Sequence, residues 1–148
     1  MSKQSRQKQR IWLIIGFIVI GYAASKYSPE QAYNQPTASQ NNIVQIIAQQ
    51  QSDIQVEVSG TVIKLLRDDL EGSHHQKFII KLTSGHTILV SHNIDLAPRI
   101  EALQQGDDVS VYGEYEWNNK GGVIHWTHHD PDKKHIDGWI RHQGSQYQ

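Results

Sequence analysis

The 148-residue sequence contains no cysteine. Disulfides, thiolate metal sites and cysteine catalysis are therefore excluded. Acidic residues are missing from the first 29 positions, and Glu30 is the first. A Gly-rich phosphate loop, a Gly-x-Ser-x-Gly elbow and a His-Glu-x-x-His helix are missing as well, so no short motif announces a reaction. Positive charge is scarce beyond the N-terminus. From residue 30 onward nine Lys and Arg face all 15 Asp and Glu, a net charge of −6 with neutral His. That balance suits nucleic acid poorly, because phosphate binding depends on clustered cations.

What the N-terminus does have is Lys3, Arg6, Lys8 and Arg10, followed by an apolar run from Ile11 to Ala24. A basic start before an apolar stretch is read by the export machinery, with the positive residues kept cytoplasmic. The run is 14 residues, short of the roughly 20 that span a bilayer. Ser25, Lys26 and Tyr27 extend it to residue 27. Residues 1–10 are expected to be a basic cytoplasmic terminus and 11–27 a transmembrane anchor in the cytoplasmic membrane. The alternative is a signal segment cleaved after Ala23 or Ser25, which would release a secreted chain. Either way, the chain beyond residue 27 is expected to be periplasmic or otherwise extracytoplasmic. Residues 28–52 read as a polar linker, with Pro29, Pro36 and many Asn, Gln and Ser. The spacing of Ile43, Ile46 and Ile47 admits a short helix within it.

Residues 53–148 read as a mainly β domain. Ile54, Val56 and Val58 alternate with polar residues, and Gly60 interrupts before Val62 and Ile63, so the first strand is long and bent, from about 54 to 66. Strands two (77–83) and three (86–92) flank a turn at Ser84-Gly85. Asp95 then N-caps a short helix on which Leu96, Ile100 and Leu103 share a face, with Gly106 as its stop. Strand four (108–117) and strand five (122–127) flank Asn118 to Gly121. The residues beyond have no clear period and form a C-terminal extension. Three strands, one helix and two strands, with a coiled first strand, predict a five-stranded barrel like the oligonucleotide/oligosaccharide-binding (OB) fold.

Several segments carry a resemblance. They are Asp68-Asp69, Gly72, His75-Gln-Lys-Phe78, His92-Asn-Ile-Asp-Leu-Ala-Pro-Arg99, Gly113-Glu-Tyr-Glu-Trp-Asn118, His125-Trp-Thr-His-His-Asp-Pro131 and Gly138-Trp139. From Gly60 to Tyr147 the chain resembles a family of short bacterial exported or membrane-tethered proteins, a domain of unknown function. The resemblance implies no activity. More loosely, the architecture is similar to periplasmic OB-fold proteins.

All nine histidines lie between His74 and His142. In an OB-like barrel, strands one, three and five end on one rim. That rim would collect Asp68, Asp69, Glu71, His74 and His75, then His92, Asn93 and Asp95, then His125, His128, His129 and Asp130. The turn at 118–121 also sets a hairpin register in which Glu116 faces Val123, Glu114 faces His125 and Tyr112 faces Thr127, all on the face opposite Val109, Val111, Tyr115 and Trp117. A Glu beside a His orients an imidazole for metal binding or proton transfer, and an ordinary cross-strand polar pair is the alternative. The expected ligand-binding set is Asp68, Asp69, His75, His92, Asn93, Asp95, Glu114, Glu116, His125 and Thr127.

His92, Asp95, His125, His128, His129 and Asp130 are the metal candidates, with His135 a further imidazole beside them, for zinc or another divalent ion. The spacing is not diagnostic: His125 and His128 point to opposite faces unless the strand ends between them, and Asp130-Pro131 also reads as a turn. Asp68, Asp69, Glu71 and Asp95 suggest a hard-cation site, with a solvated acidic turn as the alternative. The functional expectation is a tethered domain that binds a small polar ligand, a metal or an envelope component. A metal-dependent hydrolase with Glu114 or Asp69 as general base is the second reading, and a structural envelope module the third.

Overall fold

A computed structural model of the protein describes residues 40–148; the expected anchor and residues 28–39 of the linker lie outside them. Helix α1 spans Gln40–Ala48. Its β-branched Ile43 and Ile46 are buried, and Val44 and Ile47 pack beside them against the barrel core. Among the described residues no helix is long and apolar enough to cross a membrane.

Seven strands succeed the helix: β1 (Ile54–Leu65), β2 (His75–Lys81), β3 (Thr87–Asn93), β4 (Asp108–Glu116), β5 (Val123–His125), β6 (Trp139–His142) and β7 (Ser145–Tyr147). The first five close a barrel in the order β1-β2-β3-β5-β4, with β4 returning to β1. Every pairing in that ring is antiparallel except β3 with β5. β1 serves two neighbours because it bends. Residues 54–61 pair with β4 and residues 61–65 with β2, with a bulge between Val62 and Lys64. Gly60 permits the bend: a Cβ there would stand 2.8 Å from the Lys81 carbonyl oxygen.

Alternation builds the core. Val56, Val58 and Val62 of β1, Phe78 and Ile80 of β2, Ile88 and Val90 of β3, Val109, Val111 and Tyr115 of β4, and Ile124 of β5 all turn inward and are buried. Each such side chain contributes on the order of 1.5–3 kcal/mol by leaving water. Trp117, expected on this face, packs partly buried against the same cluster.

The helix expected between strands three and four does not form. Residues 94–107 run as successive turns, and α1, which precedes β1, is the sole helix among the described residues. Leu96, Ile100 and Leu103 do have helical spacing, but a tertiary contact wins. The buried Gln76 amide accepts from the Ile100 N–H (2.8 Å) and donates to the Ile100 carbonyl (3.0 Å). In a helix those two groups would pair with residues four positions away. Pro98 supplies no N–H for a helical ladder either.

β6 and β7 were not expected. β6 pairs with Val109–Tyr112 of β4, on the same edge where β5 pairs with Glu114–Glu116. His142 secures it: its side chain is buried, and Nε2 lies 2.8 Å from Asp107 Oδ2.

Candidate functional site

The loops after β1 and β3 meet at one end of the barrel, and Thr127, just after β5, reaches His92 of β3 there. His74 N donates to Asp95 Oδ2, and the His74 ring meets Asp95 Oδ1, both at 2.8 Å. Arg99 Nε donates to Asp68 Oδ2 at 2.9 Å, and Lys77 Nζ to Asp69 Oδ2 at 3.0 Å. These contacts engage the rim carboxylates. The Lys77 hydrogen bond holds the Asp69 carboxyl below its ordinary value, and the His74 N–H does the same for Asp95. Of the acids suggested as a hard-cation site, Asp68, Asp69 and Asp95 are instead tied to cations and backbone N–H groups, and Glu71 contributes its N–H to Asp69. Asn93 Oδ1 accepts from Asp95 N in an Asx turn, and His75 Nδ1 is bonded to Ser73 O.

His92, an expected ligand, is enclosed in the barrel end at 0% exposure. Nδ1 lies 2.8 Å from the hydroxyl of Thr127, also buried, and Nε2 lies 3.2 Å from the Pro98 carbonyl. Nε2–H donates and Nδ1 accepts, so the neutral ring fills both bonds. Burial drives its pKa down to about 4. The unfolded chain takes up this proton near pH 6.5, so stability is complete above that pH and falls as pH drops from 6.5 toward 4. The loss expected across that window is about 3 kcal/mol, and burial of His125 acts in the same direction. Urea denaturation at pH 7 and pH 4.5 checks this. Equal stability at the two pH values, or the same slope in His92→Asn, would contradict the assignment.

The remaining metal candidates also have structural roles. His128 is buried, with Nδ1 2.6 Å from the His129 carbonyl. His129 pairs with Asp137 at 3.0 Å in an exposed position. Asp130 organises the loop between β5 and β6 by accepting from the N–H groups of Asp132, Lys134 and His135. Burial alone would raise its pKa, and those three donors outweigh it. Among the described residues no three of the hydrolase ligands His92, Asp95, His125 and His128 bring ligand atoms within 4.8 Å of one another, and Asp69 is paired with Lys77.

A cluster does form on the outer face of the sheet. The hairpin register pairs Glu114 with His125 and Glu116 with Val123, as expected. Glu114, Glu116 and His125 each offer a ligand atom, and these atoms lie within 4.8 Å of one another, the one such group among the described residues. His125 Nε2 stands 3.6 Å from Glu114 Oε1; it is buried and has no hydrogen-bond partner. Gln55 of β1 pairs directly with Glu114 and shares its face. Gln55 is 4% exposed, and its Nε2 is also buried without a partner. Burial raises the Glu114 pKa, with the Asp53 and Glu116 charges adding to it. Burial and the neighbouring Asp53 carboxyl raise that of Glu116, against a hydrogen bond from Ser52. Burial lowers the pKa of His125. Crowded carboxylates beside a neutral imidazole are an arrangement that a cation relieves.

The loop after β5 lies over this face. β5 ends at His125, and Trp126 takes a positive φ of 53°. Tyr112 therefore pairs with Trp139, not with Thr127, and the two rings stack at 5.7 Å. Arg141 sits 4.0 Å above Trp139. Trp126 stacks on His135 at 3.7 Å with the rings 17° apart, and His135 Nδ1 lies 3.8 Å from Glu114 Oε2. Gly138 allows the loop to return so closely: a Cβ there would meet the Trp126 carbonyl oxygen at 2.0 Å. Sequence reasoning missed Asp53 and Gln55 as parts of the cluster, and it named His135 among the candidate metal ligands without placing it beside Glu114. Gln55 had a signal, its place in the outward phase of the first strand; Asp53 and His135 lie in segments without a period.

A family model described as "Protein of unknown function (DUF3465)" matches residues 28–148. Comparison with curated proteins gives no match.

Proposed function

The chain belongs to this family of unknown function, and from that premise we propose that its barrel is an OB-like binding module for a divalent metal ion. Glu114, Glu116 and His125 hold the ion. The observation that carries this reading is the convergence of their ligand atoms within 4.8 Å around a buried, unpartnered His125 Nε2. An uncoordinated imidazole nitrogen and two carboxylates form a mixed nitrogen–oxygen donor set. A net charge of −6 beyond residue 29 draws cations toward it. The OB-like reading is supported by the closed order β1-β2-β3-β5-β4 with β3 and β5 parallel.

The module is also proposed to be held outside the cytoplasmic membrane by residues 11–27, the reading that the basic start and apolar run favour. Mass spectrometry of the native N-terminus checks the tether. An intact terminus in the membrane fraction supports it, and a mature chain starting after Ala23 or Ser25 removes it.

Titration calorimetry of the full-length protein with zinc, manganese, calcium and magnesium tests the site. One ion per chain is expected from at least one metal, together with a rise in melting temperature. Glu114→Gln with Glu116→Gln is expected to weaken that binding at least ~100-fold. Failure of every ion to bind, or undiminished binding by the double variant, would overturn the proposal.

A further inference from the structure

We infer that the loop between β5 and β6 exists to deliver His135 as a second imidazole ligand, making the site selective for a borderline first-row transition ion such as zinc over calcium and magnesium. The inference rests on the cation-binding reading above.

His135 is fixed from two sides. Its backbone N–H donates to Asp130 Oδ2 at 2.7 Å, from a carboxylate that also holds the N–H groups of Asp132 and Lys134. Its ring lies flat on Trp126, 3.7 Å between centroids. Trp126 is itself turned over the face by its left-handed backbone. The loop closes where Asp137 accepts from Asp130 N at 2.8 Å and Gly138 N donates to His128 O at 2.9 Å. A surface histidine of ordinary function needs none of this bracing.

The bracing points the ring at the cluster. Nδ1 faces Glu114 Oε2 at 3.8 Å, while His125 Nε2 faces the other oxygen of the same carboxylate at 3.6 Å. Glu114 thus stands between two imidazoles. Ligand atoms about 2 Å from a tetrahedral metal lie about 3.3 Å from one another. The two separations run to different oxygens of one carboxylate, and His135 stands just outside the group whose ligand atoms already lie within 4.8 Å, so its ring joins the ion by a further swing over Glu114.

Two imidazoles with two carboxylates favour zinc and its neighbours, whereas calcium seeks six to eight oxygens and magnesium keeps much of its water. The chain has no cysteine, so selectivity cannot come from thiolate. It must come from nitrogen, and His135 doubles the nitrogen count.

The test uses full-length protein, calorimetry with zinc and calcium, and cobalt as a spectroscopic probe. His135→Phe keeps an aromatic ring on Trp126 but removes the donor nitrogen, and His135→Ala removes both. Wild type is expected to bind zinc at least ~100-fold more tightly than calcium. Both variants are expected to lose ten-fold or more in zinc affinity, to leave calcium binding unchanged, and to alter the visible spectrum of bound cobalt. His129→Ala, on the same loop, is expected to bind as wild type does. Zinc binding by His135→Phe at wild-type affinity, or calcium binding as tight as zinc, would overturn this inference and leave the cation site standing. A wild type that binds no cation removes both.

Discussion

Gly113→Ala is expected to lower the melting temperature by about 10–20 °C and to remove cation binding with it. Gly113 lies in β4 immediately before Glu114. An added Cβ would meet the His125 carbonyl oxygen at 2.4 Å and the Cγ2 atoms of Ile124 and Thr127 at 2.9 Å. The carbonyl is backbone and cannot rotate aside, so β5 must shift away from β4. That strand has only three residues, held by β4 on one side and β3 on the other. Overpacking of this kind costs about 1–3 kcal/mol or more, and each kcal/mol moves the midpoint of a domain this size by roughly 4–8 °C. The same shift carries His125 away from Glu114 and Glu116. Circular-dichroism melting and zinc titration check both effects. A midpoint within a few degrees of wild type with unimpaired zinc binding would show that the strands adjust freely.

The second large effect is expected from Gln76→Leu, which should reduce unfolding free energy by about 2–4 kcal/mol while leaving zinc affinity nearly unchanged. Leucine fills much the same space. It abandons two buried backbone groups, the N–H and C=O of Ile100, each costing about 1–3 kcal/mol when left unpaired. Residues 94–107 carry no regular ladder of their own, so contacts from other elements hold them, and Gln76 supplies both partners of the buried Ile100 backbone. Gln76 faces inward, on the opposite side of the sheet from Glu114 and His125. Urea denaturation gives the stability change, and limited proteolysis should place new cleavage within 94–107. A loss below ~1 kcal/mol with no new cleavage would contradict the role given to Gln76.

Gln76 also shows where sequence periodicity stops informing. The two-residue alternation of β1 to β4 is visible because each strand has one dry and one wetter face. The turn at Asn118–Gly121 then fixes Glu114 opposite His125 by counting alone. The spacing of Leu96, Ile100 and Leu103 is equally regular, yet one amide from a distant strand overrides it. Nothing in residues 94–106 records that amide. β6 and β7 are short, and their hydrophobic residues, Trp139, Ile140 and Tyr147, are too few to show a period. The rim acids illustrate a different limit. Their chemistry is legible, but Arg99 and His74 claim them through contacts between loops and Lys77 claims Asp69 from β2, which the spacing read along the chain does not encode. The outer-face cluster was half legible: the hairpin names Glu114, Glu116 and His125. Asp53 enters from the residue before β1, and His135 from a loop whose path depends on the left-handed turn at Trp126.

The divided edge of β4 has a consequence for the order of assembly. β4 accepts β5 along one stretch and β6 along the next, so five strands can close the ring while Val109–Tyr112 still present bare N–H and C=O groups. Until Trp139–His142 docks there, the newly closed barrel carries an open template that another chain's strand can join. A segment made after all five ring strands is therefore the one that seals the molecule against its own copies. Its arrival also draws the β5–β6 loop over the outer face, so that protection from self-association and completion of the histidine pair occur in the same step.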